Sequence, residues 1–210
     1  MSPAGAAVYA VNVNEQGTAA RIVAVAERIL RDEGADAVSM RRVGQAVGVT
    51  AMAIYRHYPS REALLRAVAD RGARALAERW LRHAPPCGGL EERMSAALDG
   101  FLDFALGDPH LYRFLILDAW EGVRRFPEDF RDGQGPPFSV VTALVEEGMR
   151  TGFLRADDPL EVAMTVTSAT QGLVQQYLSG RIGMDEADFR ALCHRSTWRV
   201  VNGLRSKTEA

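Results

Sequence analysis

Arginine supplies nearly all the positive charge in this chain. Between Thr18 and Arg71 stand nine arginines against six aspartates and glutamates, and the sole lysine, Lys207, lies far downstream. A guanidinium offers a planar fork of donors that fits a phosphate, or the edge of guanine, with two hydrogen bonds at once. The net charge of the whole chain is -2, so the basic part is N-terminal and an acidic part follows. That asymmetry suits a nucleic-acid-contacting head on a body that does not touch nucleic acid. Other chemistries find little support. His57, His83, His110 and His194 are scattered, and Cys87 and Cys193 resemble neither a disulfide framework nor a metal cluster. There is no Ser/His/Asp elbow, no Walker loop and no GxGxxG after a strand. The acidic pairs Glu91-Glu92, Glu146-Glu147 and Asp157-Asp158 read as solvated helix faces and caps. We therefore expect no metal, no cofactor and no enzyme.

The elements that must position the arginines are helices. Apolar residues recur at helical spacing, strand-like alternation is absent, and no Asn-Gly or Asp-Gly hairpin joins alternating runs. A first helix is expected from Thr18 to Glu33, with Ile22, Ala26, Ile29 and Leu30 as its apolar stripe and Gly34 as its left-handed stop. Ser39 caps a short second helix through Val47, which Gly48 ends. Thr50 caps a third that ends near His57, and Ser60, after Pro59, caps a longer fourth toward His83. Two short helices meeting at a glycine, held by Val43, Val47, Val49 and Ile54, make a helix-turn-helix at Ser39 to Tyr58. Such packing leaves one face of its second helix free to enter a major groove.

Downstream, a loop is expected at 84–89 and an amphipathic helix over Leu90–Leu106. Asp108-Pro109 starts a helix that runs through Tyr112 to Trp120. Residues 122–137 are broken by glycines and prolines. Helices then follow over Phe138–Met149, from the Asp158-Pro159 start to Ser179, and from Asp185 to about Leu204. The chain has 210 residues, 47% hydrophobic and 25% charged, as an ordinary globular protein has. No apolar run is long enough to span a bilayer. Met1 to Gly17 lacks a basic n-region and reads as a loose tail rather than a signal peptide. A reduced, cytoplasmic setting is the simplest expectation. The expected organisation is all-α: a flexible tail (1–17), a helix-turn-helix DNA-binding domain (18–64), and a helical ligand-binding and dimerisation domain (65–210).

This pattern resembles the TetR family of bacterial transcriptional regulators. The likeness rests on the first helix ending in Gly34, on Val43-Gly44-Gln45-Ala46-Val47-Gly48-Val49, and on Ile54-Tyr55-Arg56-His57-Tyr58-Pro59-Ser60-Arg61-Glu62-Ala63-Leu64-Leu65. It covers about Thr18 to Val68, roughly a quarter of the chain. Two positions depart from the family habit: Gly44, where alanine is usual, and Arg61, where lysine is usual. The resemblance implies that Tyr55, His57 and Arg61 clamp phosphates and that Thr50 caps the recognition helix and touches backbone. It places Arg41, Ala51, Met52 and Ala53 toward the groove, Arg41 on guanine and Ala51 or Met52 on thymine methyls. Arg41 and Arg42 are each either a base reader or a solvated charge, and Tyr58 is expected in the core.

TetR-like proteins are dimers through their last two helices. Here the corresponding seams are Met164, Ser168, Gln171, Gln175 and Leu178 on one helix, and Phe189, Leu192, Ser196, Val200 and Gly203 on the other. The resemblance further implies a pseudo-palindromic operator and a small-molecule effector. Phe101, Phe104, Phe114, Leu115, Trp120, Met149, Met164, Thr167 and Gln171 are the candidate lining; they carry no charge, which points to a largely apolar ligand. Repression follows from the resemblance alone. The alternatives are a repressor or activator that responds to a protein partner, and more remotely an enzyme.

Overall fold

The computed structural model describes residues 3–83, 88–120, 122–131 and 136–206. The helices are α1 (Pro3–Glu33), α2 (Met40–Val47), α3 (Ala51–His57), α4 (Arg61–His83), α5 (Leu90–Gly107), α6 (Pro109–Tyr112), α7 (Glu128–Arg131), α8 (Pro136–Arg150), α9 (Pro159–Leu178) and α10 (Glu186–Gly203). Among the described residues, extended pairing is confined to one isolated bridge between Leu154 and Arg205. The fold is all-α.

Two compact units divide the chain: residues 1–72 with 110–123, and residues 73–109 with 124–210. In the first, the expected stripe of α1 is buried, with Ile22, Ala26 and Leu30 fully enclosed, together with Val43, Ile54, Leu64 and Val68. Gly34, at φ 87°, ends α1 and leads into a 3-10 turn at Ala35–Ala37. Leu111, Tyr112 and Phe114 are also buried in this unit. Enclosure pushes the Tyr112 hydroxyl up to about 12, because a buried phenolate loses its hydration.

In the second unit, α9 and α10 pack through faces that repeat every three to four residues: Val162, Ala163, Thr170 and Val174 against Phe189, Cys193, Thr197 and Val201. Their one polar pair is satisfied internally, since the hydroxyls of Thr170 and Thr197 lie 2.8 Å apart. Tyr177 stacks on Phe189 with centroids 4.0 Å apart. Val145, Leu154, Val162, Ala163 and Val201 form a further cluster, with Met149, Phe153 and Trp198 packed on it. Cys193 is a free, buried thiol, raised to about 11 by desolvation.

Four expectations need correction. Helix α1 begins at Pro3 rather than Thr18. Proline suits the first helical position, alanines follow it, and Gly5 and Gly17 each cost only about 1 kcal/mol against alanine. The helix that starts at Pro109 does not reach Trp120: it widens into a π-helical stretch over Arg113–Leu117, closed by the Asp118 N–H donating to the Arg113 carbonyl at 2.8 Å. The glycine- and proline-rich connection holds the short helix α7, and α8 starts at Pro136. Phe189, expected on an outer seam, is fully buried within its own chain. Of the expected loop at 84–89, residues 84–87 lie outside the described residues.

Candidate nucleic-acid interface

The chain turns three times between Gly34 and Arg61, and each turn leads into a helix whose start is fixed by a side chain on a backbone group. A helix start leaves four N–H groups without intrahelical partners. The Ser39 hydroxyl accepts from Arg42 N at 3.3 Å, the Thr50 hydroxyl from Ala53 N at 3.2 Å, and the Ser60 hydroxyl from Ala63 N at 3.1 Å. Gly48 sits at φ 81°, a left-handed conformation that glycine adopts without strain, and closes α2. Gly44 allows the close approach of α2 to the start of α3. A Cβ there would stand 3.0 Å from the Val49 carbonyl oxygen, and the Gly44 carbonyl accepts from Val49 N at 2.9 Å. The departure at Gly44 therefore coincides with the tightest point of the turn.

Arginines hold this frame from outside. Arg21 donates to the Val47 carbonyl at 3.2 Å, tying α1 to the end of α2. Arg61 donates through Nε to Val38 O at 2.7 Å and through Nη2 to Ala35 O at 2.6 Å, gripping the turn that precedes α2. Arg42 forks onto Glu33, with Nη1 2.9 Å from Oε2 and Nη2 on the other oxygen. That pair holds the Glu33 carboxyl below, and the Arg42 guanidinium above, their ordinary values. Arg31 and Arg71 both reach the nearly buried carboxylate of Glu27, at 3.0 and 2.9 Å. The Tyr58 hydroxyl lies 3.4 Å from Ala19 O, and partial burial raises its pKa. Tyr58, expected in the core, is thus half-buried, with its hydroxyl turned toward α1.

The outward face is different. Ile54 is fully buried, and on the opposite side of α3 Met52 is 69% exposed and Tyr55 47% exposed. Arg56 is exposed beside them, while Ala51, Ala53 and His57 are half-buried. On α2, Arg41 and Gln45 stand exposed one turn apart. Of the expected DNA-facing residues, Arg41, Thr50, Met52 and Tyr55 thus lie outward, with Ala51, Ala53 and His57 beside them. Arg42 and Arg61 have neighbours of their own. Gln45 and Arg56 were missed from the sequence; a helical projection anchored on buried Val43 and Ile54 places both on the open side.

The candidate ligand residues fall in both units. In the first, Phe114 is buried, Leu115 half-buried, and Trp120 stacks on Phe114 at 5.1 Å. In the second, Phe104 is buried, and Phe101 meets Trp80 edge-on at 6.3 Å. Met149, Met164, Thr167 and Gln171 are half-buried, and Met149 packs on the Val145–Val162 cluster. The Thr167 hydroxyl donates to Ala163 O at 2.9 Å. Among the described residues, no group of three or more His, Cys, Asp or Glu side chains is placed to hold a metal, and no helix is long and apolar enough to cross a membrane.

A short capped helix with an open face, braced by a second helix and two glycine turns, defines a helix-turn-helix protein. Residues 22–68 match the profile described as "Bacterial regulatory proteins, tetR family", and residues 94–199 match "Tetracyclin repressor-like, C-terminal domain". The chain belongs to the TetR family of bacterial transcriptional regulators, and it is a DNA-binding regulator of that kind.

Solved structures share the fold. A Rhodococcus sp. RHA1 protein of unknown function superposes with a TM-score of 0.72 at 22% identity, covering 90% of this chain and 96% of that one. FadR from Bacillus subtilis, in complex with stearoyl-CoA, gives 0.69 at 14% identity, with 88% and 98% covered. A TetR family transcription regulator from Marinobacter aquaeolei VT8 gives 0.65 at 19%, with 90% and 97% covered. No curated protein matches.

Proposed function

We propose that the chain is a homodimeric repressor, released from a pseudo-palindromic operator by a largely apolar small molecule. The observation that carries the DNA-binding half is the outward face of α3, with Met52, Tyr55 and Arg56 exposed opposite buried Ile54. Arg41 and Gln45 extend that face onto α2. In this reading Arg41 and Arg56 supply charge, and Tyr55 and His57 bond phosphate oxygens. Thr50 donates its hydroxyl proton to the backbone while its oxygen caps α3. Ala51 and Ala53 let the helix sit deep. Arg42 and Arg61 position the frame, because a carboxylate and two carbonyls already occupy their forks.

Dimerisation is assigned to the outer sides of α9 and α10. Their inner faces are used within the chain, and Met164, Ser168, Gln171, Gln175 and Leu178, with Leu192, Ser196, Val200 and Gly203, remain partly or fully exposed and uncharged. A two-fold axis there would present two heads to two half-sites about one helical turn apart. For the effector we rely on the second unit, where Phe101, Phe104, Met149, Met164, Thr167 and Gln171 are apolar or uncharged. The stearoyl-CoA complex of the Bacillus subtilis protein supports a fold able to accept a long apolar chain. The ligand acts by favouring one arrangement of the dimer over the other.

The test is selection of a duplex from a random pool by the full chain, with light scattering of the eluted complex and a screen for release. Two chains per selected palindrome, with release by apolar compounds, is the expected result. A monomer on a half-site, or release by highly charged ligands alone, contradicts it.

A further inference from the structure

We propose that base recognition by this protein runs through the C5-methyl group of thymine, packed on the Met52 side chain. The inference rests on the DNA-binding reading and names what that face reads. The N-terminal residues of a recognition helix are those that reach base edges. Here they are Ala51, Met52 and Ala53, whose side chains carry no hydrogen-bond donor and no acceptor stronger than a thioether sulfur. The residue before them, Thr50, has its hydroxyl oxygen engaged with Ala53 N at 3.2 Å. The first turn of α3 therefore has apolar matter to offer and little else.

Met52 is placed to offer it. It is 69% exposed, the largest exposure among the large hydrophobics of the described residues, although the same seven-residue helix buries Ile54 completely. A single exposed methionine is ordinary on a protein surface, but Met52 stands on the side of α3 left open opposite buried Ile54, where it is available to cover an apolar group of a partner. In the major groove the apolar feature is the thymine methyl; the other base edges show donors and acceptors. A long, polarisable thioether adapts to that contact better than a branched side chain does. Polar reading falls to Arg41 and Gln45 on α2. The half-site is then expected to contain a thymine whose methyl group, and not only its pairing, is recognised.

The experiment replaces thymine by deoxyuridine, one position at a time, in the duplex selected by the full chain. This removes the methyl and keeps every hydrogen bond. The wild-type chain should lose about fourfold in affinity at one or two thymines of each half-site, as expected for one buried methyl. Met52→Ala should bind the parent duplex more weakly and show no further loss at those positions, whereas Met52→Leu should keep the uracil penalty. Indifference of the wild-type chain to uracil at every position overturns the proposal while leaving DNA binding intact. So does an unchanged penalty in Met52→Ala. A chain that selects no duplex overturns the DNA-binding reading as well.

Discussion

The two units of this protein are held by different means. In the first, the segments around α2 and α3 are fixed by side chains bonded to backbone: Ser39, Thr50 and Ser60 at helix starts, and Arg21 and Arg61 on carbonyls of Val47, Val38 and Ala35. In the second, α9 and α10 are held mainly by enclosed side chains, with Phe189 and Val174 fully buried and Tyr177 stacked on Phe189. The difference follows from the work. A helix that must leave one side bare is short of apolar surface to bury, so polar anchors on its flanks set its angle. Helices α9 and α10 carry caps of the same kind, at Asp158 and Asp185, but their enclosed inner faces supply most of the hold.

Breaking the second unit should therefore cost most. Phe189→Ala should lower unfolding stability by about 3–5 kcal/mol, since the cavity beside Tyr177 and the lost burial add together. A urea titration followed by circular dichroism reads it. Breaking a polar anchor should cost less: Arg61→Ala removes two charge-assisted bonds, worth together about 1–2 kcal/mol after discounting for a guanidinium about a third exposed. Arg61→Lys should recover only part of that loss, because an ammonium lacks the fork that reaches both carbonyls.

Acid should weaken both units by one route. Arg42 holds Glu33, and Arg93 holds Glu147, below the ordinary carboxylate pKa. A carboxylate with a lowered folded pKa stabilises above its unfolded value and loses that contribution as pH falls through the folded one. Wild type should exceed Glu33→Gln and Glu147→Gln in urea midpoint at pH 7, and the gaps should close toward pH 3. The smallest effect is expected at Gly44→Ala. Helix propensity gains up to about 1 kcal/mol, while the new Cβ presses on the Val49 carbonyl, so the net change should stay under about 1 kcal/mol and the chain should still bind DNA.

The same contrast explains what could be read from the sequence. Ser39, Thr50, Ser60, Asp158 and Asp185 were legible as caps, and Gly34 and Gly48 as helix ends, because a cap or a left-handed glycine is a local event. The stripe of α1 was legible from its period. The pairing of Arg42 with Glu33 and of Arg61 with the turn at Ala35–Val38 was not, since each joins residues brought near only by the fold. Those arginines looked like free charges suited to DNA. Phe189 was misplaced for a related reason: helical spacing gives a stripe but not which neighbour covers it. The stop at Leu117 escaped because a π-helical stretch breaks no local rule that composition records.

The central claim is that the exposed face of α2 and α3 meets DNA while the occupied arginines only hold it. Binding to the selected duplex, followed by fluorescence anisotropy over a series of salt concentrations, separates the two roles. Each phosphate neutralised by a cation contributes about 0.9 to the slope of log affinity against log salt. Arg56→Ala should reduce that slope by about one contact, and Arg61→Ala should lower stability while leaving the slope unchanged. The opposite outcome, an unchanged slope in Arg56→Ala and a reduced one in Arg61→Ala, would contradict the account.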